Sequence, residues 1–306
     1  MKNHLKRVFC AAICVLLLTG CGRGGKVPSE LVVSSQPESA PAGEQERSAF
    51  PTQVCGVELQ TAAKRVVSLS PAVTEIICEL GFKDRLCGVS SYCDYPEGLT
   101  AAALGSTENP DTDGIRALSP DVVFTLSALS ERDSYELTSV GIAVIPLTAP
   151  RTLAEYAALY SDIARAFYGA ELSADEKQGE KCAQLGNSAA AALEKAAEGI
   201  SLGGFVYVTE KLTLAGADTF ESAVLSLCGG NLCTESGYTA ATELSPDYII
   251  ADEALKEQGF SADEALSAMA QNAQVIYVSA QPFERPSARL CEVFAQIREA
   301  LAPAEE

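Results

Sequence analysis

The side chains that most often carry catalysis are sparse in this chain. Its single histidine is His4, near the amino terminus, so a catalytic triad or dyad with a histidine base would depend on that residue alone. The sequence contains no phosphate-binding loop, GxSxG turn or dinucleotide-binding fingerprint. Most of its 41 Asp and Glu residues must be solvated surface. We therefore predict a ligand-binding protein, not an enzyme, with an Asp/Glu-pair hydrolase as an open alternative.

The cysteines follow a pattern that is typical of packing. None of those after Cys21 forms a CxxC pair, which argues against a structural zinc site. Cys78, Cys228 and Cys291 each lie within an apolar stretch, where a free cysteine behaves as a small hydrophobic residue. We expect mostly free thiols.

The first residues have the three parts of an export signal. Lys2, Lys6 and Arg7 are basic, and Val8–Leu18 is an uncharged apolar run too short to span a bilayer. The run ends in Leu-Thr-Gly before Cys21, which resembles the lipobox of bacterial lipoproteins. We predict a signal peptide over residues 1–20 and a diacylglyceryl anchor on Cys21. A plain secretory signal with a chance cysteine is the alternative.

The charge balance excludes one class of partner. The chain has 41 acidic and 22 basic side chains, for a net charge of −19. Because such an excess repels nucleic acid and anionic lipid, we expect neither to be a partner. Loss of the signal would remove His4 and three basic residues, which leaves the mature chain without histidine and still more acidic.

Strand and helix signals alternate along most of the chain. Residues 21–49, rich in Gly, Pro, Ser and Glu, predict a flexible tether. Ser70 and Pro71 begin a predicted helix in which Val73, Ile76, Ile77 and Leu80 share one face. Short β-rich runs at residues 65–69, 85–90, 120–125, 142–147, 204–208, 248–251 and 274–278 predict strands of parallel sheets. Helices are predicted at residues 219–228, closed by the Gly229-Gly230 pair, and at residues 287–301.

The middle of the chain interrupts this alternation. Residues 151–202 contain no β-type run, and their apolar stripe and Ala/Glu/Lys-rich composition predict a long connecting helix. The tetrapeptide Leu-Ser-Pro-Asp occurs at residues 118–121 and again at 244–247, each time before an apolar run. We therefore predict two related α/β lobes, over residues 50–150 and 203–306, joined by this helix.

Several segments together resemble a known family. RVVSLSPAVTEIICELGFKDRLCGVSSYCDYPEGL, ALSPDVVF, GIAVIPL, LAGADTFESAVLSLCGGNL, LSPDYII and QPFERPSARL are similar, in the same order, to the substrate-binding proteins of ABC importers for vitamin B12 and iron complexes. The resemblance covers residues 64–301. It implies the class III fold, with two Rossmann-like lobes joined by a single long helix, and a permease and ATPase as partners.

The resemblance also implies a ligand site between the lobes. SSYCDYP and FER look most similar to the cobalamin binders, which implies ligand contacts at Tyr92 and Arg285, with Phe283 and Tyr238 as weaker candidates. Tyr92 also follows a predicted strand, at the sheet edge where α/β proteins bind ligands. Thr107 aligns with a ligand-stacking tryptophan, and this chain has no tryptophan anywhere.

The resemblance also implies residues that dock on the permease. Family members dock through one carboxylate on each lobe, and these positions fall on Asp113 and on Thr239, with Glu243 four residues further on. The resemblance thus implies a monomer at the extracytoplasmic face of the membrane, with no cofactor or metal of its own. We expect it to capture a corrinoid. A ferric siderophore or haem, bound through tyrosine, and a lipid-anchored scaffold or adhesion module are the alternatives.

The anchor depends on one atom, the sulfur of Cys21. Replacing this residue with serine should leave the precursor uncleaved or release the protein from the membrane fraction, because two acyl chains are what hold such a protein stably at a bilayer. Membrane fractionation and the mobility of the mature band measure this. Unchanged processing and fractionation of Cys21→Ser would show that the sulfur carries no anchor.

Overall fold

The computed structural model describes residues 49–171, 180–256 and 264–303. Residues 1–48, which include the predicted signal peptide, Cys21 and nearly all of the predicted tether, lie outside the described residues. Two separate sheets, both built mainly from parallel strands and flanked by helices, form the two α/β lobes that the alternation predicted.

The first lobe is a five-stranded parallel sheet with strand order β5-β4-β3-β6-β7. It follows an antiparallel hairpin of β1 (Thr52–Val54) and β2 (Val57–Leu59). The sheet strands and the helices between them are β3 (Val66–Ser68), α1 (Pro71–Glu79), β4 (Leu86–Val89), β5 (Ala102–Ala103), α2 (Thr112–Leu118), β6 (Val122–Thr125), α3 (Glu131–Thr138) and β7 (Ala143–Pro146). The strands predicted in this half are therefore confirmed.

The connecting region contains two helices where a long single helix was expected. They are α4 (Leu153–Tyr168) and α5 (Lys181–Ala197), which pack on each other; residues 172–179 lie outside the described residues. Gly169 ends α4 with φ +66°. A Cβ atom there would lie 2.2 Å from the Ala49 carbonyl oxygen, so only glycine allows this turn.

The second lobe is a six-stranded sheet of mixed direction. Strands β10, β8, β12 and β13 are parallel, whereas β9 pairs antiparallel with both β8 and β11. The elements are β8 (Gly203–Val208), β9 (Thr213–Ala215), α6 (Phe220–Leu225), β10 (Gly229–Asn231), β11 (Tyr238–Ala240), β12 (Tyr248–Asp252), α7 (Glu264–Ala270), β13 (Gln274–Val278), α8 (Gln281–Glu284) and α9 (Leu290–Leu301). The strands predicted in this half are confirmed, and α9 begins three residues later than predicted.

The prediction that Gly229-Gly230 closes a helix was wrong. Helix α6 ends at Leu225, and the two glycines begin β10, which pairs with the start of β8. A Cβ on Gly229 would lie 2.6 Å from the Gly203 carbonyl oxygen. The glycine is therefore needed for a close approach of two backbones, which a sequence cannot distinguish from a helix end.

The repeated Leu-Ser-Pro-Asp has the same structural role in both lobes. Asp121 Oδ2 accepts hydrogen bonds from the backbone N–H groups of Lys64 and Arg65, at 2.8 and 2.9 Å. Asp247 Oδ2 accepts one from Gly204 N–H at 2.8 Å. In each case the aspartate precedes a central strand and holds the start of the neighbouring strand, so the repeat marks equivalent places in two related lobes.

Two glutamates of α1 connect the first lobe to the segment before α9. Glu75, whose side chain is 1% exposed, accepts a hydrogen bond from the Ser287 hydroxyl at 2.6 Å and lies 3.5 Å from the Arg289 guanidinium. Glu79 accepts from the Ala288 backbone N–H at 3.1 Å and from the hydroxyl of Tyr160 in α4. We call Glu75, Glu79 and residues 287–289 the interlobe clamp.

The helices of the connecting region reinforce the clamp. Helix α4 packs against α1 and β1 of the amino-terminal half and also against α6, and α5 packs against α9. Tyr156 of α4 is buried and stacks at an angle on Phe220 of α6, with ring centroids 6.1 Å apart. The lobes are thus held through buried side chains as well as through the covalent connection.

The Leu-Ser-Pro-Asp repeat predicts a stability effect. Asp247→Ala should lower the free energy of unfolding by about 1 kcal/mol, because it leaves the Gly204 N–H without its acceptor. Urea denaturation measures this, with Glu253→Ala, an exposed carboxylate of the same lobe, as the control that should change little. Equal stabilities for the two variants would contradict the role of Asp247.

The interlobe clamp predicts a dependence on pH. Burial raises the pKa of Glu75 above its usual range, against the hydrogen bond from Ser287 and the charge of Arg289. Folding therefore favours the protonated carboxyl. Its stabilising contribution is complete below the unfolded-state pKa and is lost as pH rises through the higher folded-state pKa. Glu75→Gln, which cannot ionise, should therefore gain stability relative to the wild type as pH rises from about 4 to about 7.

Urea denaturation of the wild type and Glu75→Gln at both pH values tests this. Glu292→Gln is a matched control, because Glu292 is an exposed partner of the same Arg289. The prediction would be contradicted if the difference in free energy of unfolding between the wild type and Glu75→Gln were the same at both pH values. It would also be contradicted if the wild type became the more stable of the two as pH rises.

Candidate functional site

A cavity of about 420 Å³ lies between the lobes. Residues 149–151, which follow β7, line it on one side. The second lobe contributes residues around α6, β11 and α8, including Phe220, Tyr238 and Phe283. We call this the outer cavity. It opens where the carboxyl ends of β7 and β13 lie, which is where open α/β sheets bind ligands.

A smaller inner cavity of about 230 Å³ continues into the second lobe. It shares Glu221, Tyr238 and Glu284 with the outer cavity. Its other walls come from the carboxyl ends of three neighbouring strands: Tyr207 and Thr209 from β8, Asp252 from β12 and Ala280 after β13. The two cavities therefore adjoin along the three shared side chains, and we call them together the cleft.

Aromatic side chains form part of the cleft wall. The Tyr238 side chain is 56% exposed, and its hydroxyl donates to Glu221 Oε1 at 2.8 Å. Phe283 is buried and packs edge-on against Tyr207, with ring centroids 5.3 Å apart. Tyr238 therefore offers a free ring face to the cleft, whereas Phe283 supports the wall from behind.

Acidic groups dominate the inner cavity. Carboxylates line it at Glu210, Glu221, Asp252 and Glu284, with Lys211 as the cation among its described lining residues. Burial, and then the charges of these carboxylates, raise the pKa of the Tyr207 hydroxyl. Burial and the hydrogen bond to Glu221 also raise the pKa of Tyr238. Both tyrosines are therefore neutral phenols at physiological pH.

The predicted first-lobe residues lie at the carboxyl edge of their sheet but line neither cavity. Tyr92 follows β4 and is 67% exposed; its backbone N–H donates to the Ser90 hydroxyl at 3.2 Å. Thr107 is buried, and its hydroxyl donates to the Leu69 carbonyl at 3.2 Å. The structure thus leaves the Tyr92 ring free for a ligand, while the Thr107 hydroxyl is already bonded.

Arg285 connects the predicted residues of the two lobes. Its guanidinium forms an ion pair with Asp94, two residues after Tyr92. Nearby, the Arg289 guanidinium lies 5.1 Å from the centroid of the Tyr95 ring, within range of a cation–π interaction. The loop that carries Tyr92 is therefore attached to the second lobe at two arginines, beside the cleft.

The predicted docking carboxylates lie on exposed surface. Asp113 is in the first turn of α2 and forms an ion pair with Arg116 one turn later. Glu243 is exposed between β11 and β12, and Thr239 lies within β11. Asp113 and Glu243 thus have the exposure that docking requires, and their role stays a prediction.

The cysteines of the described chain are free thiols. Burial raises the thiol pKa of Cys78, Cys182 and Cys228 to about 11, and the pKa of Cys55 also to about 11 with a further contribution from Asp162. Such thiols stay protonated at neutral pH and are poor nucleophiles. They contribute packing, as their apolar sequence context predicted.

Several cleft residues escaped the sequence reasoning. Asp252 is the last residue of β12, so the rule that selected Tyr92, a residue at the carboxyl end of a predicted strand, would also have selected it. Glu221 and Glu284 lie on short helices, and nothing in the sequence distinguishes them from the many solvated carboxylates. Arg151 follows Pro150 at the end of the first lobe and gives no signal either.

The described residues contain neither a cluster that could bind a metal ion nor a helix that could span a bilayer. No three Cys, Asp or Glu side chains of residues 49–171, 180–256 and 264–303 converge as a group that could hold a metal ion. In the same part of the chain, no helix combines the length and the apolar character that a bilayer span requires.

Comparison with known proteins places this architecture in a family. A family model described as periplasmic binding protein matches residues 66–281. The vitamin B12-binding protein of Yersinia pestis (strain Pestoides F) is 30% identical over 173 residues, which cover 55% of this chain and 59% of that protein. The match thus spans less than two thirds of the relative's length.

Solved structures agree on the fold. The periplasmic vitamin B12 binding protein BtuF of Vibrio cholerae is 25% identical, with a TM-score of 0.57 over 79% of this chain and 97% of that chain. The periplasmic heme binding protein HutB of Vibrio cholerae has a TM-score of 0.64 over 78% of this chain and 99% of that one, but at 19% identity it supports the fold alone. The chain belongs to the periplasmic binding protein family.

Proposed function

We propose that this protein is the lipid-anchored substrate-binding component of an ABC importer and that it captures a corrinoid for delivery to a permease and its ATPase. The observation that carries the proposal is the cleft between the lobes, lined by the exposed ring of Tyr238 and flanked by the exposed ring of Tyr92. A large flat macrocycle is held well by aromatic faces together with a few polar contacts.

The chemistry of the cleft favours a corrinoid over an iron complex. Iron in haem proteins is commonly held by histidine, cysteine thiolate or tyrosinate. The one histidine of the chain is His4, within the predicted signal, and the Tyr238 hydroxyl is bonded to Glu221 with a raised pKa. A protonated, hydrogen-bonded phenol is a poor iron ligand. A ferric siderophore or haem remains the alternative within transport, and a lipid-anchored scaffold is the alternative outside it.

The apo contacts indicate how a ligand would be received. Arg285 is held by Asp94 across the lobes, and the Asp94 side chain is 61% exposed, so solvent screening leaves the pair little stability of its own. A ligand that offers an acceptor to Arg285 can replace Asp94 at small cost. The interlobe clamp would meanwhile hold the lobes nearly fixed, so that capture involves rearrangement of side chains and of the Tyr92 loop, with modest closure.

The remaining parts of the proposal concern the partners. The exposed carboxylates Asp113 and Glu243 are proposed to dock the two lobes on the permease, where charges of this kind act mainly on the association rate. The anchor on Cys21 would keep the monomer at the extracytoplasmic face of the membrane. We also propose that the amino-terminal lobe comprises residues 50–150, the connecting region residues 151–202 and the carboxy-terminal lobe residues 203–306.

Titration of the purified folded part with cyanocobalamin, haemin and a ferric siderophore tests the function. We expect micromolar or tighter binding of cyanocobalamin. Tyr92→Ala should weaken it by about 1–3 kcal/mol, as loss of a central aromatic contact does in a binding hot spot. Tyr135→Ala is the matched control, since Tyr135 is an equally exposed tyrosine on α3, and it should bind like the wild type.

Each alternative has its own outcome. Tight binding of haemin or the ferric siderophore without binding of cyanocobalamin would indicate a protein of iron uptake. The absence of binding to all three ligands would favour the scaffold. A dissociation constant for Tyr92→Ala that matches that of Tyr135→Ala would remove Tyr92 from the site without affecting the choice of ligand.

A further inference from the structure

We infer that the inner cavity receives hydrogen-bond donors of the ligand, so that the protein selects a macrocycle fringed by amides over one fringed by carboxylates. The inference deepens the proposed function and rests on it. Four observations carry it: a carboxylate on the cavity wall whose residue is largely buried, a second carboxylate with a buried oxygen that has no partner, the sign of the charge around them, and the residues that this cavity shares with the outer cavity.

Asp252 is the first of these groups. It ends β12 and lines the inner cavity, and its residue is only 6% exposed. Its Oδ1 accepts a hydrogen bond from the Ala254 backbone N–H at 3.0 Å. An ionised carboxylate on the cavity wall can accept further hydrogen bonds, so Asp252 can receive a donor that arrives with the ligand.

Glu221 is the second of these groups, and it lines the same inner cavity as Asp252. Its Oε1 accepts from the Tyr238 hydroxyl at 2.8 Å, and its Oε2 is buried without a hydrogen-bond partner in the described structure. Tyr238, the exposed ring of the cleft, thus fixes one oxygen of Glu221 and leaves the other unsatisfied. A flat ligand lying on the Tyr238 ring would bring its edge to this oxygen.

The surrounding charge decides which donor fits. An ionised carboxylate only accepts hydrogen bonds, and Glu210 and Glu284 add two more negative charges against Lys211. A ligand carboxylate at this wall would meet like charges, a juxtaposition that costs several kcal/mol in an interface. A primary amide instead supplies N–H donors and carries no charge. The periphery of a corrinoid consists of such amides, whereas haem presents propionates.

The test compares cyanocobalamin with its monocarboxylic acids, in which one peripheral amide has been hydrolysed. By calorimetry, the wild type should bind the acid whose changed group faces the inner cavity roughly tenfold or more weakly than cyanocobalamin. Glu221→Gln and Asp252→Asn should each lower the ratio of the dissociation constant of this acid to that of cyanocobalamin. Each substitution removes a repelling charge and keeps the shape of the side chain. Glu194→Gln changes an exposed carboxylate on α5 and should leave the ratio unchanged. Thermal melts verify that each variant is folded.

The outcomes separate the inference from the function on which it rests. If cyanocobalamin binds but all its monocarboxylic acids bind equally well, or if neither variant changes the ratio, the inference is wrong and the function stands. If the wild type binds haemin with its two propionates and not cyanocobalamin, or binds neither, the proposed function fails and the inference fails with it. A ratio that narrows in Glu221→Gln or Asp252→Asn and not in Glu194→Gln supports both.

Discussion

Glu75 and Glu79 of helix α1 place two carboxylates where the lobes meet, and the geometry of the cleft depends on them. Ser287, Ala288 and Arg289, which they bind, lie directly after the segment that carries Phe283 and Arg285. An error in this contact would displace the cleft wall itself. Buried charges are costly unless they are well bonded, so the interlobe clamp tolerates few other arrangements of the two sheets.

The interlobe clamp also determines what kind of motion is available. Each lobe has a smaller core cluster of its own, while the main cluster of buried side chains runs through both halves and α4, and α4 packs against elements of both halves. A large hinge opening would expose Glu75, Ser287 and the surrounding apolar side chains together. The loop of Tyr92, Asp94 and Tyr95 reaches the second lobe through single contacts to Arg285 and Arg289, and within its own lobe the Cys93 thiol contacts the Thr74 hydroxyl at 3.3 Å. Its connection to the second lobe is thus slighter than that of the interlobe clamp.

The sequence predicted the parts of the fold that rest on local patterns. Short β-rich runs and the apolar face of α1 are such patterns, and the structure confirms them. The inner cavity is different, because Glu221 of α6, Asp252 of β12 and Glu284 of α8 come together only through tertiary packing. The position of Asp252 at the end of a strand is a local signal, but nothing local marks Glu221 and Glu284 among the 41 acidic residues. The Gly229-Gly230 error has the same origin, since a close contact between two backbones requires knowledge of the neighbouring strand.

The two lobes show how one framework can hold different chemistry. Asp121 and Asp247 fix the same pair of strand starts in each lobe, so the central parallel strands are equivalent. The difference lies at the edge of the second sheet, where β9 runs antiparallel to both of its neighbours, β8 and β11. That antiparallel pair brings Tyr238 over Glu221, and the first sheet, which is parallel throughout, has no counterpart in the described residues. The repeated framework thus positions the lobes, while the added strands give the second lobe the acidic, aromatic wall and leave the first lobe to supply the exposed rim.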